Sequence, residues 1–123
     1  AELLPADAPK WALGVGKPEN VVAAAKMGYG LFDCVLPTRD ARRGRLYVSV
    51  GDDYERLYVQ DARHVRDGSP VDADCDCPCC RRYSRAYLHH LFHIRDSLAG
   101  RLATIHNLRF YTRLMARLRA EGI

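Results

Sequence analysis

The chain has 123 residues, enough for about one domain with a core of its own. Its 48% hydrophobic and 28% charged composition is that of a globular protein in water. No apolar run approaches the roughly 20 residues of a membrane-spanning helix. Charge is unevenly spread: residues 1–80 hold 10 Lys and Arg against 13 acids, a net −3, while residues 81–123 hold 9 Arg against 2 acids, a net +7. An Arg-rich final third suits a phosphate backbone, because guanidinium forks match phosphate oxygens, although a solvated helix face gives the same count.

The opening Ala1–Pro9 has no hydrophobic period and does not begin with Met, which fits a segment of something longer. Trp11–Gly16 is a short apolar run ending at two glycines and reads as a buried strand entering a tight loop. Pro18 and Glu19 suit the first turn of a helix over Val21–Met27, with Gly28 as its left-handed stop. Leu31–Pro37 is again apolar, broken only by Asp33. Strand, helix and strand at this spacing form a βαβ unit with parallel strands covered on both faces.

Asp33 is the anomaly of that unit. A carboxylate in mid-strand costs several kcal/mol unless it is paired or faces a polar cavity. It is either bonded to backbone amides or an Arg, or it is a catalytic group at the mouth of an α/β barrel. Thr38–Arg45 follows with four arginines, one aspartate and Gly44, and reads as a loop able to clamp an anion. Arg45–Val50 and Arg56–Val59 flank Gly51-Asp52-Asp53 as a hairpin whose tyrosines pack.

Four of the five cysteines fall within Asp74–Cys80. Cys75, Cys77 and Cys80 form a C-x-C-x2-C pattern able to bring three thiolates to one side of a turn, and a tetrahedral Zn²⁺ site then needs one more borderline donor. A disulfide cluster or ordinary buried cysteines are the competing readings. An odd cysteine count and no signal-peptide pattern weigh against disulfides and point to the cytoplasm. His89, His90, His93 and His106 are all available as the fourth ligand, and spacing leaves that choice open. Arg82–Leu98 reads as an amphipathic helix with Tyr83, Tyr87, Leu91, Ile94 and Leu98 on one stripe, ended at Gly100. A second helix is expected from about His106 to Ala120, with Leu108, Tyr111, Met115 and Leu118 inward and Arg109, Arg113 and Arg117 on another face.

Together these motifs resemble one family, the tRNA-guanine transglycosylases or queuine tRNA-ribosyltransferases. The resemblance is carried by Gly14–Glu19, Phe32–Arg39, the Cys75/Cys77/Cys80 knot, Tyr83–His90 and Thr104–Tyr111, in family order. It implies an α/β chain forming the C-terminal portion of a TIM-type barrel with an inserted zinc-binding subdomain. Residues 1–45 would hold the last two barrel strands, Trp11–Val15 and Leu31–Leu36, with the catalytic and RNA loop. Residues 46–105 would hold the hairpin and zinc subdomain, and residues 106–123 the helix closing the zinc site.

By the same resemblance Asp33 is the nucleophile that displaces guanine from the wobble ribose of tRNA, before a deazaguanine base takes its place. One structural zinc is held by Cys75, Cys77, Cys80 and His106, with Cys79 a spare or alternative donor. RNA contacts fall on Gly14, Val15, Gly16, Lys17, Pro18, Glu19 and Asn20, and on Thr38, Arg39, Asp40, Ala41 and Arg42. Leu13 and Gly14 form the floor of the base pocket, and Leu13 stands where many bacterial members carry Met. Tyr83, Tyr87 and His90 are expected at a homodimer contact. The proton-transfer aspartate of the family would lie upstream, so the chain by itself is expected to be inactive. A non-catalytic, zinc-stabilised module for RNA binding or dimerisation is the alternative.

Overall fold

A computed structural model describes residues 2–122. Ten short elements follow one another: β1 (Trp11–Leu13), α1 (Pro18–Lys26), β2 (Leu31–Asp33), α2 (Leu36–Arg42), β3 (Arg45–Val50), β4 (Asp53–Tyr58), a 3₁₀ turn (Ala62–His64), α3 (Pro78–Arg82), α4 (Arg85–His93) and α5 (Ser97–Ala120). They divide into two compact units. One runs to Leu36 and resumes at Tyr111; the other is Pro37–Phe110. The helix α5 is continuous across position 106 and contributes to both units.

In the first unit β1 and β2 pair in parallel, Trp11 beside Leu31, Ala12 beside Phe32 and Leu13 beside Asp33. The βαβ order is therefore as expected, with α1 starting at Pro18 and stopping before Gly28 in the left-handed region. Val21 and Ala25, one turn apart on α1, pack with Leu114 and Leu118 of α5 into a small core. Two expectations are corrected. The second strand ends at Asp33 rather than Leu36, so the carboxylate stands at the strand end instead of mid-strand. Both strand faces were expected to be covered, yet Trp11, Leu13 and Leu31 are exposed, and only Ala12 is buried. A two-stranded ribbon can be covered only where a helix lies on it. No barrel is present among the described residues.

In the second unit β3 and β4 form an antiparallel hairpin, paired from Arg45–Tyr58 to Val50–Asp53 around a two-residue Gly51-Asp52 turn. Gly51 takes the positive φ such a turn needs. Tyr47 is buried and stacks on Phe110 at 5.3 Å, so this tyrosine packs as expected. The unit's core joins Leu46 and Val59 of the hairpin region to Leu88, Leu91, Leu102, Ala103 and the knot cysteines.

The helical readings are corrected in three places. Thr38–Arg42 belongs to α2, not to a loop, because Asp40 and Ala41 turn inward. The single helix Arg82–Leu98 is two helices. Ser84 caps α4 by accepting the Tyr87 N–H, and Arg95 in the left-handed region ends it. Asp96 then caps α5 by accepting the Leu98 N–H at 2.8 Å. Gly100 consequently lies inside α5, His106 lies mid-helix, and Leu108 faces outward rather than into the core.

Candidate functional site

The cysteine knot is shaped by its own backbone. Pro78 opens α3, and Cys77 caps it by accepting the Cys80 N–H on Sγ at 3.4 Å. A second N–H···S bond, from Cys77 to Cys75 Sγ, measures 3.5 Å. These turns place the Cys75, Cys77 and Cys80 sulfurs together, and α5 brings His106 to them. The four donor atoms lie within 4.8 Å of one another, and all four residues are buried. His106 Nδ1 is 3.6 Å from Cys77 Sγ and 3.2 Å from Cys80 Sγ.

His106 is oriented from its other side. Its Nε2 lies 2.6 Å from the Tyr47 carbonyl. A carbonyl can only accept, so Nε2 carries the hydrogen and the Nδ1 lone pair points at the sulfurs. This is the arrangement that fixes the tautomer of a metal-binding histidine. The donor set therefore fits one ion of tetrahedral preference: ligand bonds of about 2.0–2.3 Å set donor atoms about 3.5–3.8 Å apart. Four protein donors leave no open position, which makes the site structural rather than catalytic.

The three thiols share their hydrogen bonds unevenly. Hydrogen bonds from Cys75 and then Cys80 hold the Cys77 thiol down to about 3, the opposing cost of burial notwithstanding. The thiol of Cys80, hydrogen-bonded to Cys75 and Cys77, is pushed up. Cys79 is buried but outside the donor group, and burial pushes it up to about 12. All five cysteines are free, which sets aside the disulfide reading. Of the other histidines, His89 donates through Nδ1 to the Val59 carbonyl, and His90 and His93 are exposed.

Three supporting residues escaped the sequence reading. Asn107, wholly buried, accepts the Tyr47 N–H and donates to the Pro37 and Arg45 carbonyls at 3.0 Å each. With His106 it occupies both backbone polar groups of Tyr47, so neighbouring helix positions clasp β3. Asp76, between two knot cysteines, takes a two-pronged bond from Arg109 at 2.6 and 3.0 Å, and this holds its carboxyl below the usual range. The only signal for these residues was their spacing: Asp76 adjoins two ligands, and Arg109 stands one helical turn after His106.

Asp33 is exposed. Its Oδ1 accepts the Gly14 N–H at 3.0 Å, and its backbone carbonyl accepts the same N–H at 2.9 Å. Among the described residues it makes no ion pair, so one carboxylate oxygen is left open. Gly14 has φ +72, which lets its N–H reach back across the strand ends. Gly16 is a second tight position: a Cβ there would lie 2.2 Å from Cys34 Sγ. Its carbonyl accepts the Tyr111 hydroxyl at 2.6 Å.

The remaining expected contacts divide by exposure. Leu13, Gly14, Lys17, Glu19 and Asn20 are exposed, Val15 is half-buried, and Gly16 and Pro18 are buried. On α2, Arg39 and Arg42 are exposed and Thr38 is half-buried. Asp40 and Ala41 are buried, Asp40 accepting the Tyr47 hydroxyl and lying 3.7 Å from Arg45. Tyr83 and Tyr87 stack at 5.2 Å with rings 14° apart, and Tyr87 and His90 are exposed. A protein-family model described as TGT, queuine tRNA-ribosyltransferase, matches residues 1–121.

Proposed function

This chain belongs to the queuine tRNA-ribosyltransferase family, and from that premise we propose that it exchanges guanine at the tRNA wobble position for a deazaguanine base. Family membership implies a transglycosylase, a pentosyltransferase with tRNA as substrate. The single observation that carries the finer reading is that match across residues 1–121.

In the proposed reaction the open oxygen of Asp33 attacks C1′ of the ribose. The C1′–N9 bond breaks, its electron pair leaves with guanine, and the sugar is held as an aspartyl ester. The incoming base attacks the same carbon and releases Asp33, so two inversions retain configuration. The Gly14 N–H on Oδ1 would aim the carboxylate and spread its charge. The exchanged base must leave its stack, which an anticodon loop permits more readily than a duplex.

Residues 1–45 supply the nucleophile and the RNA-facing segments Gly14–Asn20 and Thr38–Arg42, with Leu13 and Gly14 under the base. On α2 the exposed Arg39 and Arg42 hold phosphates, while Asp40 and Ala41 serve by packing. Residues 46–105 carry the hairpin and knot, and residues 106–123 follow from His106. Zinc is the proposed ion, since three thiolates and an imidazole are its usual closed set. Held by Cys75, Cys77, Cys80 and His106, it would supply no catalytic chemistry and only cross-link the knot to α5. The open edges and exposed Trp11, Leu13 and Leu31 of the parallel ribbon support its completion by further strands of a barrel. The stacked Tyr83–Tyr87 pair with His90 is proposed as the homodimer contact, and the free thiols suit a cytoplasmic setting.

The test is incorporation of labelled base into tRNA by the full-length protein that carries this chain. Asp33→Asn should abolish exchange and the denaturation-resistant protein–RNA adduct together, while the variant still binds tRNA. Exchange at the wild-type rate in Asp33→Asn would remove the nucleophile from the reading.

A further inference from the structure

Within the Pro37–Phe110 unit, Thr38, Arg42, Ser97, Gly100, Arg101 and Thr104 line an open groove of about 630 Å³ between α2 and the first turns of α5. Its charge is uncompensated. Arg42 and Arg101 are both exposed, and neither makes an ion pair or side-chain hydrogen bond among the described residues. The other arginines of this unit include Arg45, Arg63, Arg85 and Arg109, each beside an aspartate. No carboxylate lines the groove. Asp40 is turned inward to Tyr47 and Arg45, and Asp96 Oδ1 is taken by the Leu98 N–H.

Gly100 is the second independent sign. It sits inside a helix, where glycine costs about 1 kcal/mol relative to alanine. No neighbour demands that sacrifice, since a Cβ at this position would meet nothing within 4 Å. A helical glycine beside open space keeps the backbone accessible to something that comes close. The hydroxyls of Ser97 and Thr104 add neutral donors on the same wall. Two guanidinium groups, hydroxyl donors and a bare backbone stretch suit an anion with several oxygens, and the open groove has room for more than a lone phosphate.

We propose that Arg42 and Arg101 form a clamp for the sugar–phosphate backbone of RNA, with Ser97 and Thr104 beside it. This rests on the reading that the chain acts on tRNA, and it moves part of the RNA footprint from α2 onto α5. Arg42 then works with a partner on another helix, not with Arg39, which does not line the groove. Contacts of this kind position the nucleic acid and carry no sequence information.

The experiment measures binding of a fluorescent anticodon stem-loop and of a scrambled stem-loop of equal length, across a salt series. The proteins are the full-length protein that carries this chain, its Arg42→Ala, Arg101→Ala and double variants, and Arg119→Ala as a control on an exposed, unpaired arginine. Each groove variant should weaken both RNAs about tenfold and flatten the salt slope by about one unit. The double variant should lose less than the product of the two, because the residues share a ligand. Circular dichroism checks that the exposed substitutions leave the fold intact. RNA bound equally by wild type and Arg101→Ala overturns the clamp and leaves the tRNA reading standing. An equal loss in Arg119→Ala reduces it to diffuse charge and likewise overturns it. A free mononucleotide bound as tightly as RNA overturns the backbone assignment. A full-length wild-type protein that binds neither RNA overturns the tRNA reading and the clamp with it.

Discussion

His106→Ala is the most demanding test of the metal centre, because the residue holds two structures together. Its Nδ1 faces the sulfurs and its Nε2–H bonds the Tyr47 carbonyl, all with no exposed surface. Structural zinc contributes about 10–16 kcal/mol in small domains, so one donor in four is worth about 2.5–4 kcal/mol. Orphaning the buried Tyr47 carbonyl adds about 1–3 kcal/mol. The sum, about 3.5–7 kcal/mol, is comparable to the whole stability of an ordinary domain, about 5–15 kcal/mol. Metal content by mass spectrometry and thermal unfolding by circular dichroism read the two parts separately. Wild type should carry one ion per chain and melt cooperatively. Chelation should lower its melting temperature by removing the metal while the carbonyl bond stays. His106→Ala should lower it further and lose the ion to a competing metallochromic indicator. A variant that keeps the ion at wild-type affinity and melts with the wild type would show that Nδ1 is not a ligand.

Asn107→Ala leaves the Tyr47 N–H and the Pro37 and Arg45 carbonyls without their partner. The expected loss is several kcal/mol, on the order of 1–3 for each buried group that finds no water, read as a lower urea midpoint; a shift under half a molar would contradict it. Gly16→Ala drives a Cβ to 2.2 Å from Cys34 Sγ and 2.6 Å from its Cβ, a clash that no rotamer relieves. It should destabilise by about 1–3 kcal/mol or more and weaken protection of the Tyr111 hydroxyl bond to Gly16, visible by NMR. An unchanged urea midpoint would refute the close approach.

Some of this protein was legible because the chemistry is local. The C-x-C-x2-C spacing, Pro78 and the short reach between the cysteines make a knot whatever surrounds it. The order of β1, α1 and β2 follows from apolar runs separated by Pro18 and Gly28. The hairpin itself follows from two β-rich runs around Gly51-Asp52, although its second strand begins at Asp53, earlier than the expected Arg56. Helix limits were harder to read, since apolar periodicity runs on through Arg95-Asp96-Ser97. The break is made by one residue in a left-handed conformation and one aspartate cap, both competing with that periodicity.

The choice among His89, His90, His93 and His106 could not come from spacing, because each stands within reach of the knot along some path of the chain. It is decided by which histidine a long helix delivers beside Tyr47, whose carbonyl sets the ring's hydrogen and turns the other nitrogen to the sulfurs. The fate of the α2 segment was equally undetermined. Asp40, Arg39 and Arg42 are alike as charged letters, yet burial against Tyr47 removes the first and leaves the other two outside. Residue order thus determined which donors, charges and breakers exist and which of them are neighbours in the chain. Folding decided which share a desolvated space, because the energy of a buried bond depends on partners far apart in sequence, such as Tyr47 and His106.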